Sequence, residues 1–243
     1  MTGFSKLTPS FVALQWIGNL LVFVLVSAWL QIPDSHAWQF AFSVLSGVLL
    51  VIAFCWLQVF SFSCLRRDVA GGQLWLKIAS FAVVAAFWFL VVQWIGSGSE
   101  HYWNYAGYWN SKLSPGQRTF LTPNRLISGM NLLITLLIWA VTALMLPVLL
   151  AVSMQRPKWD ALKQATRPYR KIFYWITVFL FCLIASQLTS LFVSWKPGNG
   201  VTGEIISVVV RLGVAYTVDI FLWCLMLALT AAWMEKTPTA AAS

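Results

Sequence analysis

The chain has 243 residues, of which 60% are apolar and only 9% charged, and its mean hydropathy is +0.77. A soluble domain carries about 25% charged residues, and this chain has too few polar residues to cover a water-facing surface even if every one pointed outward. The composition excludes an ordinary soluble fold and makes lipid the solvent for most of the surface. The net charge of +9 would suggest nucleic acid in a soluble chain. Here the bases fall between apolar runs, which points to anionic membrane lipids as partners and away from nucleic acid.

Six segments are long and apolar enough to cross a hydrocarbon core of about 30 Å at 1.5 Å per residue: 11–32, 38–62, 74–95, 126–154, 172–195 and 205–234. Lipid offers no partner to an unpaired backbone group, so each must be helical. The expected fold is all-α, a single membrane domain built as a bundle of six transmembrane helices.

The first span is preceded by Lys6 and followed by "SHA" at Ser35 to Ala37, the form of a signal-peptide cleavage site. Its apolar run of 22 residues exceeds the about 7–15 of a signal-peptide core, so a retained helix is expected. Gln15 and Asn19 lie one turn apart in it, and Gln58 lies in the second span. With Gln93, Asn131, Ser186, Gln187 and Ser190 they predict either interhelical hydrogen bonds, worth about 0.6 kcal/mol apiece, or a wet cavity. Ser43 with Gly47, Ser186 with Ser190 and Ala228 with Ala232 are small-residue pairs suited to close helix contact.

After the third span, the connection 96–125 holds "EHYWNYAGYWN", whose Tyr102, Trp103, Tyr105, Tyr108 and Trp109 suit an interfacial segment or a lid over the bundle mouth. After the fourth, the connection 155–171 carries six bases, Arg156, Lys158, Lys163, Arg167, Arg170 and Lys171, against one acid. Pro157 is placed to start a short surface helix and Pro168 to stop it, with Trp159 and Leu162 on one face. Such a segment attracts anionic lipid at about 1 kcal/mol per base near the membrane, which makes these six the expected headgroup-binding set.

Lysine and arginine also set the orientation. With the N-terminus in the cytoplasm, the inner segments hold Lys6, Arg66, Arg67, Lys77, the six bases of 155–171 and Lys236, eleven in all, while the outer ones hold Lys112, Arg118, Arg125 and Lys196. That bias predicts a cytoplasmic membrane with both termini inside. Trp16, Trp75, Trp175 and Trp233 fall near the inner ends and Trp29, Trp38, Trp94 and Trp195 near the outer ones. Trp56, Trp88, Trp139 and Trp223 fit packing within helices.

The last span contains the sharpest chemical signal. In "SVVVRLGVAYTVDIF", Arg211 and Asp219 stand inside a run otherwise suited to hydrocarbon. At 100° per residue Glu204 lies about 20° from Arg211 around the axis, Ser207 about 40° and Asp219 about 80°, so one face is polar and is expected to look into the bundle. Arg211, near the outer boundary, can snorkel. Asp219 is short and deeper, and must be protonated, hydrated or paired with a donor on another helix. Glu204, Arg211 and Asp219 are thus the candidate intramembrane polar site.

His36 and His101, beside Asp34 and Glu100, are predicted on the outer side, and His36, Glu100 and His101 are the candidates for a metal site. They lack recognised ligand spacing. Cys55, Cys64, Cys182 and Cys224 sit in or at the ends of apolar runs without a C-x-x-C pair, which argues against a disulfide framework or a zinc site. The sequence has no Walker loop, no G-x-S-x-G, no H-E-x-x-H and no aspartate pair on one transmembrane face. The expected role is contact with lipid, with a membrane-protein partner or with a second copy of the chain, without catalysis or a cofactor. A small-solute or proton-coupled permease using Asp219 and Arg211 is the alternative, and an enzyme with an outer-face metal site a further one.

Overall fold

The computed structural model describes residues 7–33, 35–65, 74–98, 102–154, 159–194 and 201–234, the side chains of 102–104, 154, 159–161 and 201–203 excepted. Among these residues every regular element is helical. Six helices are long and apolar enough to cross a membrane: α1 (Pro9–Trp29), α2 (Ala37–Cys64), α3 (Leu74–Ser97), α6 (Pro123–Met154), α8 (Ile172–Ser194) and α9 (Val201–Met234). Shorter helices α4 (Tyr102–Lys112) and α5 (Pro115–Phe120) occupy the aromatic connection, and α7 (Trp159–Ala165) the basic one. The protein is an all-α, six-helix integral membrane bundle.

Local chemistry sets the helix starts. Thr8 caps α1, its Oγ1 accepting from the Phe11 N–H at 3.3 Å, with Pro9 at the first helical position where its missing N–H costs nothing. Gln39 reaches back over the start of α2, its Oε1 accepting from the His36 N–H at 3.1 Å and the Ser35 hydroxyl at 2.8 Å. Pro115 follows Ser114 at the start of α5, and the Arg118 guanidinium ties α5 back onto the Ser111 and Leu113 carbonyls at 2.7 and 2.9 Å. α7 lies between Pro157 and Pro168, and Pro168 begins a 3-10 turn that leads into α8. Pro157 itself is outside the described residues.

α1 packs along α2, α3 along α6 and α8 along α9, and contacts between α1 and α9 close the ring. α6 is the hub, touching α2, α3, α8 and α9 as well as α4 and α7. Close approach of α1 and α2 depends on two glycines. A Cβ at Gly18 would stand 2.7 Å from the Leu57 methyls, and one at Gly47 would stand 3.1 Å from the Trp29 ring. The Trp29 indole lies over the Ser43 and Gly47 pair and donates its Nε1–H to the Ser43 carbonyl at 2.8 Å.

The core is confined almost wholly to one end of the bundle. It gathers Phe11 of α1, Cys55, Val59 and Phe62 of α2, Ile78 and Phe81 of α3, Ala143, Leu146 and Leu150 of α6, Tyr174 and Val178 of α8 and Cys224, Leu227 and Ala231 of α9. This is the end that carries the basic connection, and Ala165 and Pro168 of that connection are buried with it. At the other, aromatic end the apolar side chains of all six helices stand exposed, as lipid solvation allows. α4 covers part of that end, packing on α6 with Ala106 buried and the Asn110 Nδ2–H bonded to the Leu121 carbonyl at 2.7 Å.

The tryptophans expected as packing residues pack in different ways. Trp88 and Trp223 pack against the core and Trp139 meets Phe179 edge to face, while Trp56 stacks on Phe60 yet is 45% exposed. Trp195 lies outside the described residues.

Candidate functional site

α8 and α9 bring the charges of the last span against a neighbouring helix. The Thr189 hydroxyl of α8 donates to Asp219 Oδ2 at 2.8 Å, while Oδ1 is sealed from solvent and has no hydrogen-bond partner. Arg211 donates its Nε–H to the Ser207 carbonyl at 3.1 Å and an Nη1–H to the Val193 carbonyl at 3.3 Å. Val193 lies in the final turn of α8, where carbonyls have no intrahelical donor and the helix dipole favours a cation, so Arg211 closes that helix. Asp219 and Arg211 are therefore both anchored to α8, with no hydrogen bond between them. Glu204 is exposed in the first turn of α9, where the dipole favours an anion, and Ser207 Oγ is sealed without a partner. Thr189 was missed because nothing in a hydropathy profile says which helix faces Asp219.

Three carboxamides form a closed ring across α1 and α2. Gln15 Nε2 donates to Gln58 Oε1 at 3.0 Å, Gln58 Nε2 to Asn19 Oδ1 at 2.8 Å and Asn19 Nδ2 to Gln15 Oε1 at 2.8 Å. The Gln15 amide also donates to Ser61 Oγ at 2.6 Å, and Gln15 and Ser61 are completely buried. Every member is a donor and an acceptor in one circuit, so the α1 and α2 register is fixed by polar contacts inside an apolar wall. Beside it, Trp16 of α1 donates its Nε1–H to Thr217 Oγ1 at 3.2 Å and accepts the Tyr216 hydroxyl on its carbonyl at 2.6 Å, joining α1 to α9.

At the basic end, Pro147 sits inside α6 and is fully buried. Proline has no N–H, so the Ala143 carbonyl four residues earlier loses its helical donor. The Tyr174 hydroxyl of α8 donates to that carbonyl, and the Tyr169 hydroxyl donates to the next one, Leu144. Tyr169 accepts the Trp175 Nε1–H on its own carbonyl at 3.1 Å, and Tyr174 meets Trp233 edge to face at 5.7 Å. Arg167 Nη1 donates to the Met234 carbonyl at 3.3 Å, which places a cation on the C-terminus of α9. Of the other expected headgroup-binding bases, Lys163, Arg170 and Lys171 are exposed, and Arg156 and Lys158 lie outside the described residues.

His36 stands at the N-terminus of α2, while Asp34, Glu100 and His101 fall outside the described residues. Among the described residues no group of three or more His, Cys, Asp or Glu side chains is placed to hold a metal. The four cysteines are free thiols.

The aromatic half of the α1 and α2 pair carries an apolar groove of about 660 Å³, walled by Val22, Val26 and Trp29 on α1 and by Val44, Gly47 and Val51 on α2. A second groove of about 410 Å³ shares Trp29 and is lined by Leu25, Ile32, Phe42 and Leu49 among others. Trp29, held by the Ser43 carbonyl, is the wall between them. No family model matches the chain, and neither curated proteins nor solved structures give a match.

Proposed function

We propose that this integral membrane protein acts through lipid, holding an acyl chain in the groove between α1 and α2, and that it sits in a cytoplasmic membrane with both termini and the basic connection inside. The carrying observation is the groove itself. Its volume of about 660 Å³ is within the usual range of ligand sites, about 300–1,000 Å³. Its walls offer valine, tryptophan and glycine surface, which suits a hydrocarbon chain and gives a polar solute nothing to bond. The bases on the opposite end favour anionic lipid in the inner leaflet.

Val48 lines the groove and is 51% exposed, so a larger side chain there fills the groove without entering the core. Val48→Trp is expected to lower the lipid retained per protein, counted by native mass spectrometry after purification. The change in thermal stability should stay within about 0.5 kcal/mol, as for substitutions away from packed features. Retention equal to that of the parent protein would refute the groove as the lipid site.

A second reading, a proton-coupled permease, draws support from the sealed and partnerless Oδ1 of Asp219. Ionisable side chains inside a membrane span are candidates for ion and proton paths. In proteoliposomes with an imposed pH gradient, Asp219→Asn should abolish proton-driven solute uptake if this reading holds. Vesicles that show no protein-dependent flux before the substitution would dismiss it.

A further inference from the structure

Lys77 is the fourth residue of α3 and is only 9% exposed, the one lysine or arginine among the described residues that is buried. Lysine is almost never buried unless paired, because an ammonium removed from water without a counter-charge costs several kcal/mol. Lys77 makes no hydrogen bond or ion pair with any described residue, in contrast to Arg167 and Arg211, which hold carbonyls. Its ammonium is nevertheless not among the sealed atoms without partners, which are Trp88 Nε1, Ser207 Oγ and Asp219 Oδ1. The aliphatic stem is packed against protein and the charged tip keeps a face open to whatever borders the bundle.

The position of that tip follows from helix geometry. Side chains on an α-helix lean toward its N-terminus, so the Lys77 stem runs over the first turn of α3 and toward the basic end. The dipole of a 24-residue helix adds partial positive charge at the same place. Trp75, 73% exposed in that first turn, stands where tryptophan meets lipid headgroups. Lys163, Arg170 and Lys171 are exposed on the same end of the bundle.

We infer that Lys77 and the N-terminus of α3 form a binding site for the phosphodiester of an anionic phospholipid in the leaflet at the basic end. This rests on the lipid reading above and adds to it a headgroup class and a named cation, at a site separate from the acyl-chain groove. The exposed bases draw anionic lipid to the surface, and Lys77 supplies the one desolvated contact, where a charge-assisted hydrogen bond is strongest. Burial without a partner among the described residues is then the resting state of a site completed by lipid.

The test is lipid titration of the full-length protein in detergent, read by native mass spectrometry and by thermal shift, with phosphatidylglycerol, phosphatidylcholine and inorganic phosphate as probes. The parent protein should prefer phosphatidylglycerol, Lys77→Met should bind it at least about fivefold more weakly, and Lys77→Arg should retain it. Lys77→Met removes a buried charge and should fold at least as stably as the parent. Lys163→Met, an exposed control, should weaken binding less. Equal affinity in Lys77→Met and the parent would overturn the site while leaving the lipid reading intact. A thermal shift fully reproduced by inorganic phosphate would make the ligand a free anion and would also overturn it. A parent protein indifferent to both lipids would defeat this inference and the lipid reading together.

Discussion

Gln15→Ala is expected to destabilise the bundle by about 2–3 kcal/mol in equilibrium unfolding from detergent micelles, several times the about 0.6 kcal/mol typical of a single interhelical hydrogen bond in a membrane protein. The difference arises because Gln15 closes a circuit. Its amide satisfies Gln58 Oε1 and Ser61 Oγ, and its Oε1 accepts from Asn19. Truncation strands the Gln58 and Ser61 oxygens among apolar neighbours, at about 1–3 kcal/mol for a buried group left without a partner. It also leaves a void where a fully buried side chain stood.

The same logic gives the converse result for wholesale replacement. Converting Gln15, Asn19 and Gln58 to leucine together with Ser61→Ala removes donors and acceptors as a set. The outcome should lie within about 1 kcal/mol of the parent, or be stabilising, because no polar group is left unpaired. If the single substitution proves as mild as the fourfold one, water reaches the ring and its role in fixing helix register is lost.

The six spans were legible because each is a run long enough to cross hydrocarbon, and an unpaired backbone in lipid leaves helix as the only choice. The helices found begin and end within a few residues of those predicted, with α1 shifted to Pro9–Trp29 and α9 starting at Val201. A short helix, α7, does lie between the prolines at 157 and 168, ending at Ala165, while Pro168 opens the 3-10 turn that follows and Pro157 is outside the described residues. The aromatic connection, expected as an interfacial segment or lid, folds into α4 and α5, with α4 seated on α6.

What the sequence did not disclose is pairing. Gln15, Asn19 and Gln58 were visible as polar residues in apolar runs, but their joining with Ser61 depends on how α1 and α2 are rotated against each other. Lys77 counted in the sequence as one more inner charge, and only the packing of its stem sets it apart. The polar face of α9 divided for the same reason: Glu204 projects from the first turn while Arg211 and Asp219 meet α8 at different heights. Pro147 did leave a readable clue, since a proline inside a transmembrane run implies an orphaned carbonyl four residues before it. The hydroxyl that serves it comes from another helix.

That hydroxyl supplies the second large effect, a coupling between Tyr174 and Pro147. In the parent protein Tyr174→Phe removes the donor to the Ala143 carbonyl inside the core and should cost about 1–2 kcal/mol. In a Pro147→Ala background, residue 147 regains an N–H that can complete the helical bond to Ala143, so the same substitution should cost less than about 0.5 kcal/mol. A double-mutant cycle that returns the same cost in both backgrounds would mean the hydroxyl does not serve that carbonyl. Tyr169 sets the pH range of its own bond to Leu144, because burial pushes its phenol from 10.0 up to about 12. A raised phenol contributes stability fully below the unfolded value and loses it as pH climbs from about 10 through about 12. The Tyr169 contact should therefore be equally strong at pH 6 and pH 8 and weaken only in strong alkali. The bond from Tyr169 to Leu144 and the bond from Arg167 to the end of α9 then hold the basic connection against α6 and α9 through the whole physiological range.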